Sequence, residues 1–208
     1  LDPVISYLLV QQQARMALAT GDPVRVTRAM SLYGCQCAML EPYSAEGDRA
    51  LRVAREAVQQ AGPYERGALA LATGMTHFFR SEYDVAFRHG LEAEAILRGE
   101  CRGVQWELAG THLLLLGVYQ WMGRWRELGA QLLEYLRVAS QRGDLYGAAS
   151  MSLSYGGFPG LADGDVDRAA AFIGTYRARY SPDNRYMQDA FEIISHGYVG
   201  LYRNTPRE

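Results

Sequence analysis

Lysine is missing from this 208-residue chain; all 21 of its basic residues are arginine. A phosphate-binding loop ending in Gly-Lys-Ser or Gly-Lys-Thr therefore cannot exist in it, nor can a kinase-type lysine that grips ATP phosphates. The signatures His-Arg-Asp and Asp-Phe-Gly are absent too, so phosphoryl transfer has no apparatus in these residues. Excess charge of either sign is lacking: 21 cations against 23 anions leave a net charge of −2, which offers no basic field to a nucleic acid. Long apolar runs are lacking as well. The longest, Leu113 to Tyr119, is far short of the roughly 20 residues of a membrane span. No charged-then-apolar leader opens the chain, so a cytoplasmic location is expected. Its first residue is Leu1 rather than Met, and the expectation is a fragment of a longer protein. The arginine-only usage reads as codon bias of a GC-rich bacterial coding sequence; an arginine-specific binding surface is the sharper alternative.

Cysteine is scarce. Cys35 and Cys37 stand two apart on an expected helix and point to nearly opposite faces, and Cys101 is isolated, so three free thiols are expected. Histidine offers no metal pair, because none of His77, His89, His112 and His196 are spaced by four. His77 and His112 are expected as hydrogen-bonded packing residues, and His89 as a solvated one. Glu92 and Glu94 diverge on a helix. Asp163, Asp165 and Asp167 alternate around Gly164 but lack the rest of a calcium loop, so a helix N-cap turn is expected there. Glu107, between Trp106 and Leu108, is expected to pair with a cation such as Arg102 rather than to sit buried and protonated. The expected assignment is no catalytic residue, no metal and no cofactor.

What the chain has is helical periodicity. Its composition, 49% hydrophobic and 21% charged, is that of a globular protein. Trp125, Leu128, Leu132, Tyr135, Leu136 and Ala139 form one apolar stripe with charged residues opposite, and Glu134 precedes Arg137 by three. Ala50, Ala54, Ala57, Val58 and Ala61 form another, with Ser44 as its N-cap and Gly62-Pro63 closing it. Breakers at Gly21-Asp22-Pro23, Glu41-Pro42, Ser81, Arg102-Gly103, Gly123, Arg142-Gly143-Asp144, Asp163-Gly164-Asp165 and Ser181-Pro182-Asp183 divide about ten segments. Tyr155-Gly156-Gly157-Phe158-Pro159-Gly160 is either a binding loop or, as expected here, a helix kinked and ended by Pro159. No linker longer than a few residues appears, so one domain over 1-208 is expected, with antiparallel neighbours across short turns.

Three turns are alike: Arg80 to Ala86, Met122 to Leu128 and Asp163 to Ala169. Each has a small or polar break, a bulky residue, and an apolar residue three further on. Aligned on Tyr83, Trp125 and Val166, they repeat at steps of 42 and 41 residues, the mark of stacked helix pairs. Ten glycines within the segments, among them Gly67, Gly74, Gly90, Gly174 and Gly197, are expected to be offset by close helix approach.

Gly74, Tyr83, Ala86 and Ala93, followed by Leu115, Tyr119, Gly123 and Trp125, resemble the tetratricopeptide repeat, in a longer form without its closing proline. Cys101 to Leu108, Gly123 to Leu128, Arg142 to Tyr146 and the turn Gly21 to Arg25 are similar to one setting of such repeats. That setting is the helical-repeat region of large bacterial, notably myxobacterial, signalling proteins, in which a serine/threonine kinase domain and a nucleotide-binding ATPase module precede the repeats. The resemblance implies an all-α fold, a right-handed superhelix of stacked antiparallel helix pairs. It implies a non-catalytic regulatory scaffold of a kinase, with a protein or peptide in the concave groove and the upstream domains of the same chain as partners. Placed by that match, Met75, Phe78, Phe79, Gln120 and Trp121 fall on the concave side and are the candidate partner-binding residues. The alternatives are a metabolite sensor built from the aromatic groove and the Tyr155–Gly160 segment, as in similar regions of bacterial ATPase regulators, or a dimerisation element. The last segment, Asp183 to Arg203, resembles the first helix of an incomplete pair, so self-association through Phe191, Ile194, Tyr198 and Leu201 is expected.

Overall fold

The computed structural model describes residues 3–177 and 187–203. These form eleven α-helices and one 3-10 turn, and no strand is present among them. In order they are α1 (Pro3–Thr20), α2 (Pro23–Leu40), α3 (Ala45–Ala57), α4 (Pro63–Phe79), α5 (Tyr83–Glu100), α6 (Gln105–Trp121), α7 (Trp125–Arg142), α8 (Leu145–Tyr155), α9 (Phe158–Ala162), α10 (Val166–Arg177) and α11 (Met187–Tyr202). None is long and apolar enough to cross a membrane, among the described residues. The breaker Ser181-Pro182-Asp183 lies outside the described residues.

Local chemistry sets the boundaries. Proline opens α2 and α4 at the first turn, where its missing N–H costs nothing. Asp22 caps α2 by accepting from the Val24 N–H at 2.9 Å, and Asp144 caps α8 from the Gly147 N–H at 2.8 Å. Ser44 caps α3, as its position suggests, accepting from Gly47. Every left-handed residue in the chain's described part falls at one of the expected breakers: Gly21, Ser81, Gly103, Gly123, Gly143 and Gly164. Of these only Ser81 carries a Cβ into that region, at φ 61°.

Two compact units result, Leu1–Leu115 and Leu116–Glu208. In the first, α4 and α5 cross antiparallel at close range: Gly67 faces Leu97, and Gly74 faces Ala86 and Gly90. A Cβ on Gly74 would stand 2.9 Å from a Leu114 methyl and 3.3 Å from the Ala86 carbonyl, so only glycine allows this approach. The α6 helix lies parallel to α4, since Tyr64 reaches Glu107 and Gly74 lies beside Leu114. Its antiparallel neighbour is α5, through His112 and Glu94. A first helix stacked parallel on the previous first helix is the packing expected of repeated pairs. One core joins Val10, Met30, Tyr33, Leu51, Ala54 and Leu69; a second joins Ala70, Ala93, Leu97, Val104 and Leu108.

One buried carboxylate ties α2 to α4. Glu65, 3% exposed, accepts from the Arg28 Nε at 2.7 Å and from the Gly62 N–H at 3.0 Å. Arg28 also lies over the Tyr64 ring at 4.4 Å. Each carboxylate oxygen thus has a donor, and the guanidinium supplies the opposite charge, the conditions for a buried carboxylate to be tolerated.

In the second unit the expected stripe of α7 is the buried one, with Leu128 and Leu132 fully enclosed and Tyr135, Leu136 and Ala139 beneath them. Each such leucine contributes about 2 kcal/mol on burial. Glu134 and Arg137 pair on the outer face at 2.7 and 2.8 Å. The α11 helix lies parallel to α8: Gln188 donates to the Ser150 hydroxyl oxygen at 2.9 Å, and the Ser195 hydroxyl donates to the Leu153 carbonyl at 2.5 Å. Leu153, Leu161, Ala169, Ile173 and Val199 make the core between α8, α9, α10 and α11.

The segment Tyr155–Gly160 is a kinked helix, but Pro159 does not end it: it stands in the first turn of α9. Gly156 and Gly157 keep right-handed helical dihedrals, so the chain bends without becoming a loop and resumes as α9. With α8 and α9 taken as one bent helix, ten helical segments stand, the number read from the breakers.

Candidate partner-binding site

The five residues expected on one binding face belong to different units, and their surroundings differ. In the first unit Met75, Phe78 and Phe79 occupy the last turn of α4 and are half-buried. Phe78 meets Phe79 edge-on at 5.9 Å and Tyr83, the first residue of α5, at 5.8 Å. The rings pack on one another around the turn, so these aromatics are a structural cluster with one partly open side.

Beside them lies a pair that spacing could not reveal. His77 and His89 stack at 5.9 Å with rings 11° from parallel. Each is hydrogen-bonded to its own carboxylate, His77 to Glu82 and His89 to Glu92 at 3.0 Å. His89 keeps about a third of its side chain open to solvent (34%), as expected of it, and the antiparallel crossing of α4 and α5 adds a stacking neighbour twelve residues away. His112 is buried between helices, 3.3 Å from Glu94.

In the second unit Gln120 and Trp121 end α6. Gly123, at φ 70°, lets the chain reverse, with the Arg124 N–H bonded back to the Tyr119 carbonyl at 2.9 Å. The reversal sets Trp121 and Trp125 on the same side of the turn. With Phe158 and Leu161 of α9 and Tyr198, Leu201 and Tyr202 of α11, they enclose an open cleft of about 460 Å3. Its floor is a ring stack: Phe158, 5% exposed, meets Trp125 edge-on at 5.6 Å and Tyr198 at 5.2 Å. The rim is accessible, with Trp121 59% and Tyr202 57% exposed. Among the described residues no charged side chain lines this cleft.

A second cleft, about 490 Å3, opens on the other face of α9, between Pro159, Gly129, Leu133 and Phe172, with Arg168 at its edge. Arg168 is engaged there: it donates to Asp163 at 2.6 Å and to the Pro159 carbonyl at 3.1 Å. The Tyr155–Gly160 segment thus supplies walls to both clefts as ordered helix.

Asp165 accepts from the Arg168 N–H at 2.9 Å, the N-cap role expected of it. Glu107 corrects its expectation: it accepts from the Tyr64 hydroxyl at 2.7 Å rather than from Arg102, while Trp106 beside it is 67% exposed. Among the described residues no three His, Cys, Asp or Glu side chains converge as metal ligands. Cys35, Cys37 and Cys101 are free, and burial pushes each thiol up, Cys35 to about 12. A thiol held protonated is a poor nucleophile. On α11 the expected apolar face divides: Phe191 and Tyr198 pack against the core, while Ile194 and Leu201 are exposed, with Ile193 beside them.

Comparison with protein-family models, with curated proteins and with solved structures yields no match to this chain.

Proposed function

We propose that this chain is a non-catalytic protein-interaction scaffold, a regulatory helical-repeat segment of a larger bacterial serine/threonine kinase–ATPase signalling protein, working in the cytoplasm. The observation that carries the reading is the cleft between Trp121, Trp125, Phe158, Tyr198 and Tyr202. It joins an aromatic floor centred on the buried Phe158 to an exposed aromatic rim, the arrangement of an anchor site at an interface. Its lining, uncharged among the described residues, suits apolar side chains of a protein or peptide. The kinase–ATPase setting rests on the resemblance of the turns alone.

A metabolite sensor is the second reading, favoured by one observation: about 460 Å3 lies within the roughly 300–1,000 Å3 of small-molecule sites. The exposed rim argues against it, because a sensor site encloses most of its ligand. A thermal-shift screen separates the two. A metabolite at 100 times its Kd adds about 2.7 kcal/mol of stability, and none is expected to act through Trp121. A peptide selected from a random display library is expected to bind there, and its failure to do so together with a metabolite shift would exchange the two readings.

A further inference from the structure

A separate surface lies at the other end of the sequence. The α1 helix packs inward through Tyr7, Val10, Ala14 and Ala17. Its other side is apolar too: Val4, Ile5, Leu8, Leu9, Met16 and Leu18 are each 50–67% exposed. Six large apolar side chains on one 18-residue helix exceed scattered surface hydrophobics, and such a patch marks a contact surface. Two clefts run along it and share Gln11 and Arg15. One, about 370 Å3, is walled by Ile5, Leu8 and Leu9; the other, about 280 Å3, continues between α1, α2 and α3 over Met30 and Ala50.

Two of the three charged side chains lining the α1–α3 cleft are cationic. Arg15 is the sole charged residue of α1, and Arg49 of α3 borders the same cleft. Both are exposed, and among the described residues neither has a carboxylate partner, whereas Arg28, Arg66 and Arg80 of the same unit are each paired. The one acid lining the cleft, Glu46, accepts a hydrogen bond from the Tyr33 hydroxyl. An apolar face that runs about 21 Å from Val4 to Leu18, broken by the exposed Gln12 and Gln13 and bordered by two guanidinium groups with no carboxylate partner among the described residues, is complementary to an amphipathic helix whose apolar face is flanked by carboxylates.

We infer that the α1–α3 strip docks an acidic amphipathic helix of a partner protein, its apolar face on Leu8, Leu9 and the Met30–Ala50 floor and its carboxylates on Arg15 and Arg49. This interface is independent of the aromatic cleft.

The test uses three fluorescein-labelled 18-residue helical peptides that share one leucine face, flanked by Glu, Gln or Lys. Anisotropy titration is expected to show the Glu peptide binding roughly tenfold tighter than the Lys peptide, with the preference shrinking as salt is raised. The double variant Arg15→Glu/Arg49→Glu reverses the order, an outcome that misfolding cannot imitate; Arg15→Gln/Arg49→Gln abolishes the preference without reversing it. Trp121→Ala leaves all three affinities unchanged, so loss of the aromatic site is told apart from loss of this one. Equal binding of the three peptides, or none, overturns the inference. So does a dimer by light scattering that Leu8→Glu dissociates and the Glu peptide does not, because a second copy then owns the strip.

Discussion

At the scale of single residues, glycine within helices separates two situations that look identical in sequence. Gly74 lies where α4, α5 and α6 meet, and a methyl group there would press on Leu114 and the Ala86 carbonyl. Gly174 in α10 and Gly197 in α11 have nothing within 4 Å of that position. The expectation that close approach offsets every helical glycine is therefore corrected: it holds at Gly67, Gly74 and Gly90 and fails at Gly174 and Gly197. Gly74→Ala is expected to destabilise by about 1–2 kcal/mol through overpacking, and Gly174→Ala to stabilise by about 0.5–1 kcal/mol through helix propensity, both read from urea unfolding at constant m. Protonation adds a second residue-level effect. Burial and then the Glu107 hydrogen bond hold the Tyr64 phenol up at about 12, and burial does the same to the Cys35 thiol. Folded molecules thus keep protons that unfolded ones have lost between their ordinary values and pH 12, so this contribution is whole below about pH 9 and disappears as pH rises. The melting temperature is expected to be level from pH 7 to 9 and then to fall, with a shallower fall in Tyr64→Phe. An unchanged slope in that variant would remove Tyr64 from the account.

At the scale of elements, helix ends were the most legible feature, because cap and turn chemistry is local. Gly21, Ser81, Gly103, Gly123, Gly143 and Gly164 were readable as breakers, and each is a left-handed residue. Stripes were legible for the same reason: Leu128, Leu132 and Tyr135 recur at helical spacing and are buried. What spacing cannot carry is the partner across a helix crossing. Nothing near His89 in sequence announces His77, and nothing near Glu107 announces Tyr64, 43 residues earlier. The bend between α8 and α9 lay between these cases; Pro159 signalled it, but its use as a wall of two clefts came from the packing of α10 and α11. Gly160 fixes that bend against α10, where a Cβ would stand 2.7 Å from the Ala169 nitrogen. Backbone cannot yield as a side chain can, so Gly160→Ala is expected to cost about 2–3 kcal/mol. A loss below about 0.5 kcal/mol in chemical denaturation would show that α9 and α10 are free to part.

At the scale of the whole molecule, the repeat carries the most information and the site the least. Steps of 42 and 41 residues between like turns pointed to an all-helical chain of stacked pairs, and the described residues are helices throughout. The boundary between the two compact units falls inside α6, where no change of composition could mark it. Of the five residues expected to bind a partner, Gln120 and Trp121 line an open aromatic cleft of the second unit, while in the first unit Phe78 and Phe79 pack with Tyr83 around their own turn and Met75 is half-buried on the same helix. Phe158, Tyr198 and Tyr202, which complete the cleft, were out of reach of periodicity because α9 and α11 bring them from 37 and more residues away. The account stands on that cleft as a place where a polypeptide anchors. Its most direct test is the affinity of a display-selected peptide for the wild-type chain and for Trp121→Ala, measured by calorimetry. Trp121 is 59% exposed, so the variant should melt within about 2 °C of wild type. Affinity should fall at least about tenfold, the loss of roughly 1.4 kcal/mol expected when an aromatic anchor is truncated. Equal affinity for the two chains would contradict the account.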